Sequence, residues 1–278
     1  ASDDPLNYTT ADLEVNAVDL VDGDTVIYDW RKEGISTAVL NMPFDTNSSV
    51  LVRDYSTNEN NGSVTGAVWT SAGRSGGAYD FDGSGDYVQV DDISVPTADF
   101  TYMAWVRVDG VSGHPIFMAA DGSGGNELGI WASPGLTVFI DNLNLGGGSA
   151  SLQGGVWQHV AVTRQGSTIT GYVNGSVDVT YTDGSLLDFS SCPLLIGIDA
   201  DSGCVGGLDE TMDGVIDEMR IYNYSLSQEQ IQAFYNSGTA RFNRTVSNET
   251  AVGDNWSVVV TPNRGDFGDG VSVTSNVV

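Results

Sequence analysis

Apolar and polar residues alternate in short runs along most of the chain, at the two-residue period of strands that bury one face. From residue 67 onward a run arrives about every ten residues, among them Ala78–Phe81, Tyr87–Val90, Glu127–Ala132, Leu136–Ile140, Thr168–Val173 and Ser176–Thr182. Phe100–Val108 carries large side chains at both phases, so it reads as a central strand covered on both sides. The spacing predicts an all-β sandwich. One helical pattern stands out, Ser225–Tyr235, with Leu226, Ile231, Phe234 and Tyr235 on one stripe and Ser225 and Gln228 at capping-box spacing.

Between Ala78–Phe81 and Tyr87–Val90 lies the acidic turn Asp82-Gly83-Ser84-Gly85-Asp86. The two runs read as a hairpin whose carboxylates, Asp82 and Asp86, converge on a hard cation. At the chain's start, Asp12–Val18 and Thr25–Trp30 read as a second hairpin around Asp22-Gly23-Asp24. At its end, Asn255–Asn263 and Val271–Val278 read as strands.

Charge narrows the setting. The 278 residues hold 10 Lys and Arg against 37 Asp and Glu, a formal net charge of −27. Salt at about 1 M shortens the Debye length to about 3 Å and screens the self-repulsion of such a surface. The composition resembles that of halophilic archaeal proteins. Nucleic acid and anionic lipid are poor partners for it. No apolar run reaches the length of a membrane span, and no leader is recognisable, so the chain reads as a mature or excised piece without direct membrane insertion. Cys192 and Cys204 are the only cysteines; they pair as a disulfide closing a short loop, or remain as two buried thiols. Asn-x-Ser/Thr sequons start at Asn7, Asn47, Asn61, Asn174, Asn223, Asn243, Asn248 and Asn255. Such sites accept glycans on exposed loops of exported chains, so the chain is expected to be extracellular or on the cell surface.

Residues 38 to 240 resemble the laminin G-like, concanavalin A-like jelly-roll family. The resemblance is carried by Leu40-Asn41-Met42-Pro43-Phe44, Gly77–Gly83, Phe100–Val106, Trp157–Val162, Tyr172-Val173-Asn174-Gly175, Ile196-Gly197 and Gly214–Tyr222. It implies two curved antiparallel sheets packed face to face, and a structural calcium held by Asp82 and Asp86 together with Asp217. The flanks, residues 1–37 and 241–278, resemble two halves of one immunoglobulin-like domain of the polycystic-kidney-disease type. Neither half has strands enough for a core, so the jelly roll is read as inserted into a split sandwich. The first half is short, which leaves room for a strand from a neighbouring copy.

Candidates for catalysis are few. Some concanavalin A-like enzymes carry closely spaced acids on one strand, near Glu-x-Asp-x-x-Glu, and no such run exists here; Asp209-Glu210 and Asp217-Glu218 are adjacent pairs whose members should face opposite sides. His114 and His159 are the only histidines, and His159 sits inside a strand as a structural residue. Asp199–Gly203 resembles a cation loop with an incomplete ligand series. Trp131 and Tyr181 are sugar-stacking candidates provided that they are exposed. The sequence therefore predicts a non-enzymatic surface protein. Its first reading is a structural or adhesive subunit that assembles with copies of itself or neighbouring proteins through its immunoglobulin-like strands. The alternative is a calcium-supported lectin-like module that binds glycans, and the third is a glycoside-active enzyme.

Overall fold

The computed structural model describes residues 12–15, 25–110, 113–122, 127–140, 143–189, 192–202, 204, 206–238 and 242–276. Among them the chain is almost all β, with one α-helix, Gln228–Ser237. Two large antiparallel sheets form the body. The first orders Ser176–Thr182, Thr168–Val173, Gln158–Gln165, Phe100–Val108, Asp213–Tyr222, Ala78–Asp82 and Val68–Thr70, and Ala38–Met42 also pairs with Asp213–Tyr222. The second orders Leu143–Ser151, Gly135–Ile140, Glu127–Ser133, His114–Ala120, Leu194–Ile196, Tyr87–Val90, Gly62–Thr65 and Leu51–Val52.

Their facing sides make one core. Phe81, Phe100, Tyr102, Phe117, Leu128, Val138 and Ile196 are all buried in it. Tyr102 from the first sheet stacks on Phe117 from the second at 4.7 Å between ring centroids. Phe100–Val108 is buried along nearly its whole length because the helix side of the first sheet is covered as well. There Met103, Ala161, Tyr172 and Tyr222 pack with Leu226, Ile231 and Phe234 of the helix region.

The acidic turn does not close a hairpin. Ala78–Asp82 lies in the first sheet and pairs with Asp213–Tyr222. Tyr87–Val90 lies in the second and pairs with Leu194–Ile196 and Gly62–Thr65. Gly83 and Gly85, at φ of +80° and +76°, let the chain cross from one sheet to the other in a few residues. Alternation reports which face of a strand is buried and is silent about which sheet that strand joins. Phe81 and Val88 both point into the same core from opposite sides.

The hairpin expected at the chain's start is also corrected. Leu13–Glu14 pairs with Arg244–Thr245, while Thr25–Lys32 pairs along its full length with Trp256–Asn263. Both early strands therefore find partners in the late flank. Trp256–Asn263, Thr25–Lys32 and the two-residue edges Ile35–Ser36 and Val273–Thr274 form a four-stranded sheet. Trp30 meets Trp256 edge-on at 6.4 Å, and the Trp30 indole N–H donates to the Phe242 carbonyl. The expected turn Asp22-Gly23-Asp24 lies outside the described residues.

The helix starts two residues later than its capping-box spacing suggests. Ser227 is the N-cap, and its hydroxyl accepts from the Gln230 N–H. Ser227's own N–H goes to Glu249, and Gln230 is buried and bonds the Arg244 carbonyl and the Val246 N–H. Its side chain thus ties the helix to the late flank. The sequence run Leu194–Ile198 is broken by Gly197, at φ +85°. Past it, Ile198–Ser202 and Gly206–Thr211 form a separate hairpin.

Candidate functional site

The sandwich has two outer faces, and they differ. That of the first sheet is filled by the helix and by buried polar groups. On it, Asp217 and Glu218 form a bulge, with Glu218 at φ +54° as the extra residue opposite Ala104. The adjacent carboxylates, expected on opposite faces, are thereby both drawn into the outer layer. Asp217 accepts from the Ser75 N–H, and Glu218 pairs with Arg220 at 2.8 Å. Arg220, itself fully buried, lies over the Phe242 ring at 3.2 Å from its centroid. His159 is fully buried beside Trp105, with neither ring nitrogen partnered. Burial, and then the Arg220 charge, pull its pKa down to about 3. It is sealed from solvent and has no access to a substrate.

The outer face of the second sheet is half covered and half open. The hairpin Ile198–Ser202/Gly206–Thr211 covers one half, with Ile198 and Ala200 packed on Met118 and Leu195. Cys192 and Cys204 are joined in a disulfide beside it, and a side chain on Gly122 would strike both sulfurs. In the open half, Trp131 and Phe139 are half-buried and 5.3 Å apart between centroids. Neither belongs to a core cluster. The strand phases explain their position. Leu128, Ile130 and Ala132 point inward from Glu127–Ser133, and Leu136, Val138 and Ile140 from Gly135–Ile140, which leaves Trp131 and Phe139 on the outer phase.

Glycines set the indole's pose. A Cβ placed on Gly129 would lie 3.0 Å from Trp131 Nε1, and one on Gly113 3.3 Å from its Cζ3. The indole is seated against bare backbone at both edges. Among the described residues its N–H has no protein partner. Gly129 pairs with Phe139 on one side and with Met118 on the other, so it forms a trough between the aromatic pair and the hairpin wall. Asn144, exposed, pairs with Phe139 across the next strand and brings a polar amide to the rim. An aromatic pair, a free indole N–H, a polar rim and a wall on one side can stack a sugar ring and bond its hydroxyls.

No cation lies on this face among the described residues. Arg74, Arg107 and Arg220 stack on rings of the first sheet or the late flank, and Arg164 donates to carbonyls at the first sheet's end. Arg53 is bonded to Asp269, and Arg31, Lys32, Arg244 and Arg264 belong to the flanks.

The other sequence candidates fall elsewhere. Tyr181 packs against the main core, and its hydroxyl donates to the Gly146 carbonyl at 2.6 Å, so it ties the two sheet edges together. Asp82 and Asp86 do meet, the Asp86 carboxylate accepting the Asp82 N–H at 2.9 Å. Asp217 does not join them. The register puts Asp213 opposite Asp82, so Asp217 is four residues further along, about 13 Å. Its carboxylate is engaged by the Ser75 and Glu218 N–H groups. Among the described residues no three acidic, histidine or cysteine side chains are grouped to hold a metal ion. The three aspartates do not fit calcium as a set. Asp199 is buried and accepts from the next residue's N–H. Phe139 was missed in the sequence, although an aromatic on the exposed phase of an alternating strand is a readable signal.

Comparison with known proteins fits this architecture. A model of the concanavalin A-like lectin/glucanases superfamily, of laminin G type, matches residues 82–232, more than half of the chain. The chain belongs to that superfamily. No curated protein matches it. Among solved structures, domain 4 of AbnA, an extracellular GH43 arabinanase from Geobacillus stearothermophilus in complex with arabinotriose, superposes with a TM-score of 0.58 at 20% identity, covering 72% of this chain and 98% of that one. The binding domain of Paraclostridial Mosquitocidal Protein 1 gives 0.52 at 17% identity, and that of botulinum neurotoxin serotype D gives 0.53 at 15%. Each of these covers 72% of this chain, which spans about half (52%) of theirs. At such identities the likeness is one of fold. No helix among the described residues is long and apolar enough to cross a membrane.

Proposed function

We propose that the chain is an extracellular, non-enzymatic adhesive module that binds an uncharged glycan on the open half of the second sheet. The observation that carries this is the half-exposed Trp131–Phe139 pair, seated on glycine backbone beside the hairpin wall. The AbnA domain, which is similar in fold, was solved with arabinotriose, which supports a sugar as ligand. The charge pattern selects its type. A site with no Lys or Arg among the described residues, on a chain of net charge −27, is poorly suited to pair with a carboxylate or sulfate. A glycan array probed at high salt tests the reading. Neutral oligosaccharides should be retained and uronate, sialylated or sulfated ones should not, and binding confined to acidic glycans would overturn it.

Self-assembly through the flanks is the second reading. The four-stranded flank sheet ends on one side in the two-residue strand Val273–Thr274, which exposes Val273 and offers a short edge to which a neighbouring copy's strand can add. Sedimentation at high salt tests it. Oligomers lost on Val273→Lys would support assembly, and a strict monomer at all concentrations would contradict it.

A further inference from the structure

We infer that Asn223 and Asn248 are a paired N-glycan attachment site and that their glycans fill one groove between the jelly roll and the flank sheet. The inference rests on the extracellular part of the reading above and is independent of the sugar-binding part. Seven sequon asparagines lie among the described residues, and the fold treats them unequally. Five have their side-chain amide held, three through the nitrogen that would take the sugar and two through the oxygen. Asn47 donates to Asp266, Asn243 to the Val15 carbonyl, and Asn255 to both oxygens of Glu33. Asn61 accepts from the Asp54 N–H and Asn174 from the His159 N–H. Asn174 also sits at φ +52° in a tight turn against the helix, where a Cβ on Gly175 would meet Gln232 and Tyr235 at 3.2 Å.

Asn223 and Asn248 are different. Both are exposed, and neither amide makes a hydrogen bond with another described group. Asn223 follows the last residue of the strand Asp213–Tyr222, and Asn248 lies in the 3-10 turn Ser247–Glu249. Although 25 residues apart, both line one open groove of about 460 Å³ together with Lys32, Ile35, Tyr224 and Trp256. Ile35 is 65% exposed there. A sugar chain on either asparagine would cover it and remove an apolar surface that would otherwise attract other chains.

The chemistry needs a lipid-phosphate-linked oligosaccharide as donor. Asn Nδ2 attacks C1 of the first sugar. The N–C1 bond forms, the C1–O bond to the lipid phosphate breaks, the phosphate leaves with its electron pair and the amide loses one proton. Ser225 and Thr250 complete the two sequons.

The test is glycopeptide mass spectrometry on protein purified from its native cells, with electron-transfer fragmentation to separate Asn243 from Asn248. Sugar mass is expected on Asn223 and Asn248, with Asn47, Asn61, Asn174, Asn243 and Asn255 bare. Ser225→Ala should strip Asn223 alone and Thr250→Ala should strip Asn248 alone, each as a gel-mobility shift, with the melting temperature unchanged for Ser225→Ala and lowered slightly for Thr250→Ala, whose hydroxyl donates to the Ser247 carbonyl. Bare Asn223 or Asn248 in protein recovered from the cell surface overturns the site and leaves the sugar-binding reading standing. Protein confined to the cytosol overturns the extracellular reading and this site with it.

Discussion

Trp131 is half-exposed, its indole lies against the bare backbone of Gly113 and Gly129, and its N–H bonds no other described group. Removing the indole should therefore cost binding and leave the fold alone. Gly129→Val should act in the same direction by displacing the indole, which circular dichroism and a binding assay on the same sample would separate from unfolding. His159 supplies the opposite case, a polar residue that the fold seals. Its folded pKa of about 3 lies below the ordinary 6.5, so the unfolded chain binds more protons between those values. The stability it contributes is complete above about pH 6.5 and declines as pH falls towards 3, with a slope of at most about 1.4 kcal/mol per unit. His159→Leu should flatten the stability curve between pH 6.5 and 5, where few ordinary carboxylates titrate. Urea melts across that window read it, and an unchanged slope would contradict the assignment.

At the scale of elements, strand phase was legible and strand partnership was not. The alternation of Glu127–Ala132 and Leu136–Ile140 marks their buried faces correctly, and the doubled apolar phases of Phe100–Val108 mark a strand covered on both sides. The acidic turn reads as a hairpin and is a crossover, because a four-residue link with two glycines serves either equally well. The same ambiguity hid the hairpin beyond Gly197, whose positive φ ends one strand and starts another against a different layer. A Cβ at 197 would collide with the Phe81 ring, so Gly197→Ala should lower the unfolding free energy by more than about 1 kcal/mol. The wall beside the site depends on the Cys192–Cys204 bond, which spans 12 residues. Reduction should cost about 2–4 kcal/mol and weaken glycan binding along with it. Denaturant melts with and without reductant, paired with binding assays, report both effects.

For the whole molecule, the two flanks meet because Thr25–Lys32 and Trp256–Asn263 share a full register, and no local pattern in either strand announces a partner more than 200 residues away. The charge imbalance acts at this scale too. With 37 acids against 10 cations, the folded chain repels itself, and salt approaching about 1 M should raise the melting temperature steadily. Calorimetry across a salt series checks the sign, and a fall in melting temperature would contradict it. The same field disfavours an anionic ligand at a face where no cation lies among the described residues.

The most direct measurement is a pair of titrations at high salt, in which the neutral oligosaccharide best retained on an array is added to the wild-type chain and to Trp131→Ala. Saturable binding by the wild type, weakened about 30-fold or more in a variant with unchanged melting temperature, is the predicted result. Equal affinity for both proteins would place the ligand elsewhere and contradict the assignment of the Trp131–Phe139 face.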